Sequence, residues 1–297
     1  MIFDCDSKEV KLYKRWCGNT PYDPEVSSCG KDGNLYGMCG KKAYDKKELF
    51  CTEDEVLLPL CGKTVFDPDT GYCNDKRKVT KYGSVTDVFK TSYKTVVIGD
   101  QEWMAENLKT YKDNDTYNDH SWCPDNLKEK CKLYGRLYDW VITTDLAGSR
   151  NDFFKNFYGA FASPEQGICP DGWHLPTTKE WSTLLETVGG AKIAARYLVG
   201  SRYFISEGPN VDNEYMATNL YGFDVLFGQI FEDEDGKEDE TESEHFWALE
   251  QDRDAPTMGK EFVFTTGSNE VTNGRVSKKT GHFVRCIKGE AGYRPVY

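Results

Sequence analysis

No run of apolar residues in this 297-residue chain approaches the ~20 that a membrane-spanning helix needs, so no transmembrane segment is expected. Positive charge is also scarce: 37 Lys plus Arg face 49 Asp plus Glu, and no basic stripe relieves the net charge of −12. Such a chain repels phosphates, which argues against a nucleic-acid partner. Histidine occurs four times, at His120, His174, His245 and His282, without metal-ligand spacing. For His174, ahead of a helix, packing or a backbone hydrogen bond is favoured over a role as catalytic base. Nucleophile elbow, phosphate loop and dinucleotide fingerprint are all missing. The expectation is a protein that is not an enzyme. Disorder is excluded by the opposite observation, an aromatic content of 14%.

What the chain does have is cysteine, unevenly placed. Seven of eleven (Cys5, Cys17, Cys29, Cys39, Cys51, Cys61, Cys73) fall in the first 73 residues. Three segments, Cys17–Cys29, Cys39–Cys51 and Cys61–Cys73, share one pattern: Cys-Gly, three residues, an aromatic, Asp, and a closing cysteine. The period is 22 residues. Asp-Pro in the first and third units reads as a β-turn, so each unit is expected to be a small hairpin around Tyr22, Tyr44 or Phe66. One aromatic per unit cannot offset ~1–2 kcal/mol of backbone entropy per residue. A staple is required. Structural zinc favours cysteines two to four apart, often with histidine; these lie ten or twelve apart. Disulfides fit better, each worth ~3 kcal/mol for a short loop, and imply an oxidising compartment.

Pairing within units leaves Cys5 as the odd thiol, as though the chain began inside a repeat. The shifted scheme (Cys5–Cys17, Cys29–Cys39, Cys51–Cys61) strands Cys73 instead. The first is preferred, and spacing alone leaves both open. Met1-Ile-Phe-Asp-Cys5 lacks the basic start and apolar stretch of a secretory leader. The expectation is a mature form located outside the cell or on its outer surface.

Polar residues 74–86 mark a boundary, giving repeats over 1–80 and a large domain over 85–289. Tyr93–Ile98 reads as a strand ending at Gly99-Asp100. Leu133, Leu137, Trp140 and Val141 stand at helical spacing within Leu133–Leu146. Thr177 and Glu180 form a capping-box pattern opening a helix from Trp181 to Val188, which Gly189-Gly190 stops. From Ala217 to Ile287 the pattern suggests short strands between long polar loops. Two helices with a loop-rich antiparallel sheet make an α+β domain.

Five blocks of this domain resemble the Fibrobacter succinogenes major paralogous domain, in family order over about 85–289. They are Tyr93–Leu108 (YKTVVIGDQEWMAENL), Cys123 with Cys131–Trp140 (CKLYGRLYDW), Cys169–Trp181 (CPDGWHLPTTKEW), Gly222-Phe223 and Phe283–Lys288 (FVRCIK). The preceding repeats are similar to those that accompany this domain. The resemblance implies a bacterial secreted or cell-surface protein, often a lipoprotein. His174-Leu-Pro-Thr177, Glu180-Trp181 and Arg285-Cys286 are in turn similar to the C-type-lectin-like fold and its formylglycine-generating relatives. Within these blocks, Cys169 and Cys286 are placed to tie the helix entry to the last strand, and Cys123 and Cys131 to clip a short loop. Copper-dependent oxidation of the formylglycine type requires two reduced cysteines, so this pairing disfavours it.

Charge is as uneven as cysteine: residues 232–254 hold twelve acids against Lys237 and Arg253. Asp233, Asp235 and Asp239 offer clustered carboxylates of the kind calcium takes, although EF-hand spacing fails and a solvated loop is the simpler reading. Calcium is the one cofactor left open. Glu207 and Asn210 resemble a Glu-Pro-Asn sugar motif spoiled by an inserted glycine. Trp122 and Trp247 stand in polar surroundings and are the aromatics expected to face a sugar. The leading expectation is an extracellular adhesion module for a polysaccharide. A cell-envelope component binding a surface protein is the alternative.

Overall fold

The computed structural model describes residues 2–3, 10–11, 15–111, 120–144, 166–200, 217–227, 243–251, 255 and 257–289. The chain is mostly β, with a few short helices and a series of small disulfide-bonded hairpins.

The three units carry the disulfides Cys17–Cys29, Cys39–Cys51 and Cys61–Cys73. The repeated motif has a physical explanation position by position. Cys-Gly is a hairpin corner: Cys17 pairs with Thr20, Cys39 with Lys42 and Cys61 with Thr64, leaving a two-residue loop. Its first residue, Gly18, Gly40 or Gly62, has φ of 56°, 57° or 66°, the left-handed region that primed turns require. The motif's Asp closes an Asx turn. Asp23, Asp45 and Asp67 accept from the backbone N–H of Glu25, Lys47 and Asp69 at 2.9, 2.8 and 2.9 Å. Tyr22 and Phe66 are buried, while Tyr44 packs half-buried on Leu49.

The hairpins do not close inside a unit as the spacing suggests. Strands β5 (Ser27–Cys29), β6 (Leu35–Cys39) and β7 (Lys42–Tyr44) form one sheet, and β8 (Leu49–Cys51), β9 (Leu57–Cys61) and β10 (Thr64–Val65) the next. Each sheet therefore straddles two units. The disulfides run between sheets, linking β6 to β8 and β9 to β11 (Tyr72–Cys73).

In the large domain, β13 (Gly83–Thr86), β14 (Ser92–Ile98) and β15 (Gln101–Met104) form an antiparallel meander. β22 (Ile287–Lys288) pairs with β15, and β18 (Trp173–His174) with β22, completing a five-stranded sheet. Cys169–Cys286 and Cys123–Cys131 are bonded. The capping box forms: Glu180 N–H donates to Thr177 Oγ1 at 3.2 Å and Thr177 N–H to Glu180 Oε2 at 2.8 Å. It opens a helix over Thr178–Thr187 that buries Trp181, Leu184 and Leu185. Trp181 organises the core, with Trp103 at 5.0 Å and Phe262 stacked at 5.1 Å between ring centroids.

Two expectations are corrected. The helix read across Leu133–Leu146 is broken into helices α1 (Lys128–Tyr134) and α2 (Trp140–Thr144), because Leu137-Tyr138 pairs instead with Ser121-Trp122. Tyr138 also exchanges both backbone hydrogen bonds with His282, at 2.9 and 3.0 Å. Tertiary pairing overrides the helical pattern there. The last third holds not short strands but a meander of nine, eight and seven residues, β19 (Ser243–Gln251), β20 (Met258–Thr265) and β21 (Val271–Ser277).

The repeats dock on this domain. Leu220 completes a small core with Cys61, Phe66 and Cys73, and its carbonyl accepts from Cys73 N–H at 2.9 Å. Tyr72 Oη accepts from Val97 N–H at 3.0 Å. Arg196, on the helix Ala191–Leu198, donates through Nε to Glu48 of the second unit at 2.7 Å.

Candidate functional site

This seam encloses a hollow of about 240 Å³. Pro68, Asp69 and Asp224 line it and also an adjoining trough of about 680 Å³ between the second and third units. One composite groove results. The repeat side contributes Lys42, Glu55 and Asp67; the domain side contributes Asn107, Lys132 and Arg285. The hollow lies just below the ~300–1,000 Å³ of sites for drug-sized ligands. Its walls mix carboxylates, amides and ammonium groups, the chemistry that takes a polyhydroxylated ligand through many hydrogen bonds.

The groove's floor is built around a buried cation. Arg285 is 1% exposed, and its Nε donates to Asn107 Oδ1 at 2.7 Å and Nη2 to the Asp224 carbonyl at 2.9 Å. Nη1 donates to the Phe223 carbonyl, and the Phe223 ring lies 4.4 Å from the guanidinium carbon. Burial brings Arg285 down to about 10, against the charges of Asp224, Glu106 and Glu244. Asn107 Nδ2 donates to the Tyr134 carbonyl at 2.8 Å. Asn219 and Asp224 bracket the loop that faces the repeats. Asp224 N–H donates to Asn219 Oδ1 at 2.9 Å, and both residues hold positive φ, 47° and 53°. Backbone in that region is held only where its surroundings over-determine it. Tyr82 donates its hydroxyl to the Pro68 carbonyl at 2.7 Å, and burial followed by the charges of Asp224 and Asp69 pushes its pKa well up.

The residues expected to meet a sugar fall elsewhere. Trp247 is a core residue, 2% exposed, edge-on to Trp140 at 5.2 Å, with its indole N–H on the Tyr138 carbonyl at 2.7 Å. Both faces of its strand are covered, since Phe246, Trp247, Ala248 and Leu249 are all buried, and polar residues nearby in sequence therefore do not bring it to the surface. Trp122 is half-buried and packed against the main core. Glu207, Asn210, Asp233, Asp235 and Asp239 lie outside the described residues, as does Cys5.

The histidines are all engaged. His174 holds Glu180 through Nε2 at 2.9 Å and the Gly289 carbonyl through Nδ1 at 3.2 Å. Burial works against its protonated form, but the Glu180 hydrogen bond and charge raise its pKa on balance. His120 meets Asp139 at 2.6 Å. His245 and His282 converge on a single oxygen, Glu261 Oε2, at 2.7 and 2.8 Å. Burial raises the Glu261 pKa, but the two histidine hydrogen bonds outweigh it and hold the carboxyl at about 2; burial pushes His282 down. Nothing in the sequence spacing announces this cluster, since its members stand 16 and 21 positions apart.

The description of the Fibrobacter succinogenes major domain matches residues 96–288. No curated protein and no solved structure matches the chain. The match covers well over half of the sequence, and the chain belongs to this family.

Proposed function

We propose that this member of the Fibrobacter succinogenes major domain family is an extracellular, cell-surface binding module that takes a polysaccharide in the groove between its repeats and its large domain. The observation carrying the proposal is the composite groove itself, whose polar walls come from both parts of the chain. Neither part alone makes it. Five disulfides support the extracellular setting. The domain is read as a C-type-lectin-like variant, on the blocks His174–Trp181 and Arg285-Cys286. Oxidation of the formylglycine type is disfavoured because the four cysteines of the large domain are paired with one another. Among the described residues no helix is long and apolar enough to cross a membrane.

Binding to a panel of plant and bacterial polysaccharides, with and without calcium, tests this. Asp69→Ala removes an exposed carboxylate shared by both parts of the groove, and its loss should weaken binding at least ~10-fold, the worth of one charged hydrogen bond. Binding to no glycan removes the polysaccharide reading. Capture of an envelope protein, abolished by the same substitution, would assign the groove to that partner.

A further inference from the structure

The cluster around Glu261 stands apart from the groove and has no part in the proposal above. We infer that His245, Glu261 and His282 form a site for one divalent transition-metal ion of the zinc class. Three observations meet there. The first is convergence: one donor atom from each residue lies within 4.8 Å of the other two. Ligands at ~2.0–2.2 Å from a tetrahedral zinc stand ~3.3 Å apart. The contacts to Glu261 Oε2, at 2.7 and 2.8 Å, need open by only about half an ångström.

The second is a mismatch of donors and acceptors. His282 places Nε2 on the Glu261 carboxylate and Nδ1 on the Gly281 carbonyl at 2.7 Å, so both ring nitrogens face oxygen acceptors. A neutral imidazole has one N–H. One acceptor contact is therefore left without a proton, unless a fully buried ring is made cationic beside a second histidine. At His174, by contrast, one carboxylate serves one ring, and its hydrogen bond and charge favour the protonated form. An ion on Nε2 resolves the conflict at His282: Nδ1–H donates to the Gly281 carbonyl, the arrangement by which a backbone carbonyl orients a metal-bound histidine.

The third is preorganisation. The ring of His282 lies against Trp247, with centroids 4.3 Å apart, and Trp247 is itself fixed by its hydrogen bond to Tyr138. β19 supplies His245, β20 supplies Glu261 opposite Trp247, and the 278–283 segment delivers His282 through the backbone exchange with Tyr138. Imidazole and carboxylate together suit zinc, iron, nickel or copper over calcium or magnesium. Three protein ligands leave a fourth position for water. His245, whose side chain is 19% exposed, marks the side facing solvent.

Calorimetric titration of the chelator-treated full chain with Zn²⁺ tests the site, with Cys5→Ser introduced so that the odd thiol takes no metal. One equivalent should bind, and Co²⁺ at the same site should give the visible absorption of a low-coordinate ion. His245→Ala is the primary variant, because its partly exposed ring can be removed without opening the core. Outer-sphere changes at metal sites cost ~10–100-fold in affinity, so loss of a direct ligand should weaken Zn²⁺ at least ~100-fold and abolish the Co²⁺ bands. Glu261→Gln should do the same. Absence of stoichiometric binding, or binding undiminished in a folded His245→Ala variant, would overturn the assignment.

Discussion

Breaking the Cys169–Cys286 bond should cost the large domain about twice as much stability as breaking Cys123–Cys131. The two bonds close loops of very different length, with sequence separations of 117 and 8. The chain-entropy relation gives ~5 kcal/mol for the longer loop and ~2.5 kcal/mol for the shorter. Packing widens the gap. Cys169 and Cys286 are 3% and 0% exposed, so paired Cys→Ala substitution leaves a small void there worth a further ~1 kcal/mol, whereas Cys131 is half-exposed. A domain with ~5–15 kcal/mol in total would be left marginal by the first pair of substitutions and folded after the second. Urea unfolding of the two double variants reads the difference, and the m-value should rise more for the longer loop because its unfolded ensemble expands more. Equal losses in the two variants would refute the loop-length reasoning and place the stabilisation in local contacts.

Gly222→Ala should lower stability by ~1–3 kcal/mol and release the repeats, because φ is +66° there and a Cβ would stand 2.6 Å from Tyr72 Cβ and 2.7 Å from the Tyr82 hydroxyl; limited proteolysis between residues 60 and 82 reads the release. The His174–Glu180 pair should contribute most between about pH 4.5 and 6.5. The raised His174 pKa adds stability below its ordinary 6.5 that is lost as pH climbs through the folded value, and the lowered Glu180 pKa adds stability above its ordinary 4.5 that is lost as pH falls through the folded value. The difference in melting temperature between wild type and His174→Gln, followed across pH, should peak in that window; a flat difference would sink the assignment.

Local signals in the sequence were read correctly wherever the physics is local. The Cys-Gly corner, the Asx turn and the capping box each depend on residues within four positions, and each forms. Counting leaves one cysteine over in either pairing scheme, Cys5 or Cys73, and the preferred in-unit pairing is the one that forms. What failed depended on distant partners. Leu133, Leu137 and Trp140 keep helical spacing, yet the pairing of Tyr138 with His282, 144 positions away, decides the backbone. Trp247 stands among polar residues in sequence, but packing on both faces of β19 buries it together with Phe246, Ala248 and Leu249. The groove was illegible for the same reason: Asp69 and Asp224 share it only because Leu220 brings the third unit onto the domain. The cluster on Glu261 has no signature in the spacing, its members standing 16 and 21 positions apart. No local rule supplies Glu261 or His282.

Stability of the repeats and shape of the groove rest on the same contacts. A unit with one buried aromatic cannot offset its own chain entropy, even with a ~3 kcal/mol staple. The structure answers this in two ways. Each disulfide bridges successive sheets, so that ordering one unit orders its neighbour, as in other arrays of dependent repeats. The third unit then borrows Leu220 from the large domain for the core that Phe66 alone cannot make, and the second borrows Arg196 for Glu48. Order therefore spreads outward from the domain, and the walls contributed by Asp67, Asp69 and Glu55 are held only while that docking holds. A ligand bridging both walls binds the docked state alone, so its binding energy adds directly to the docking of the repeats.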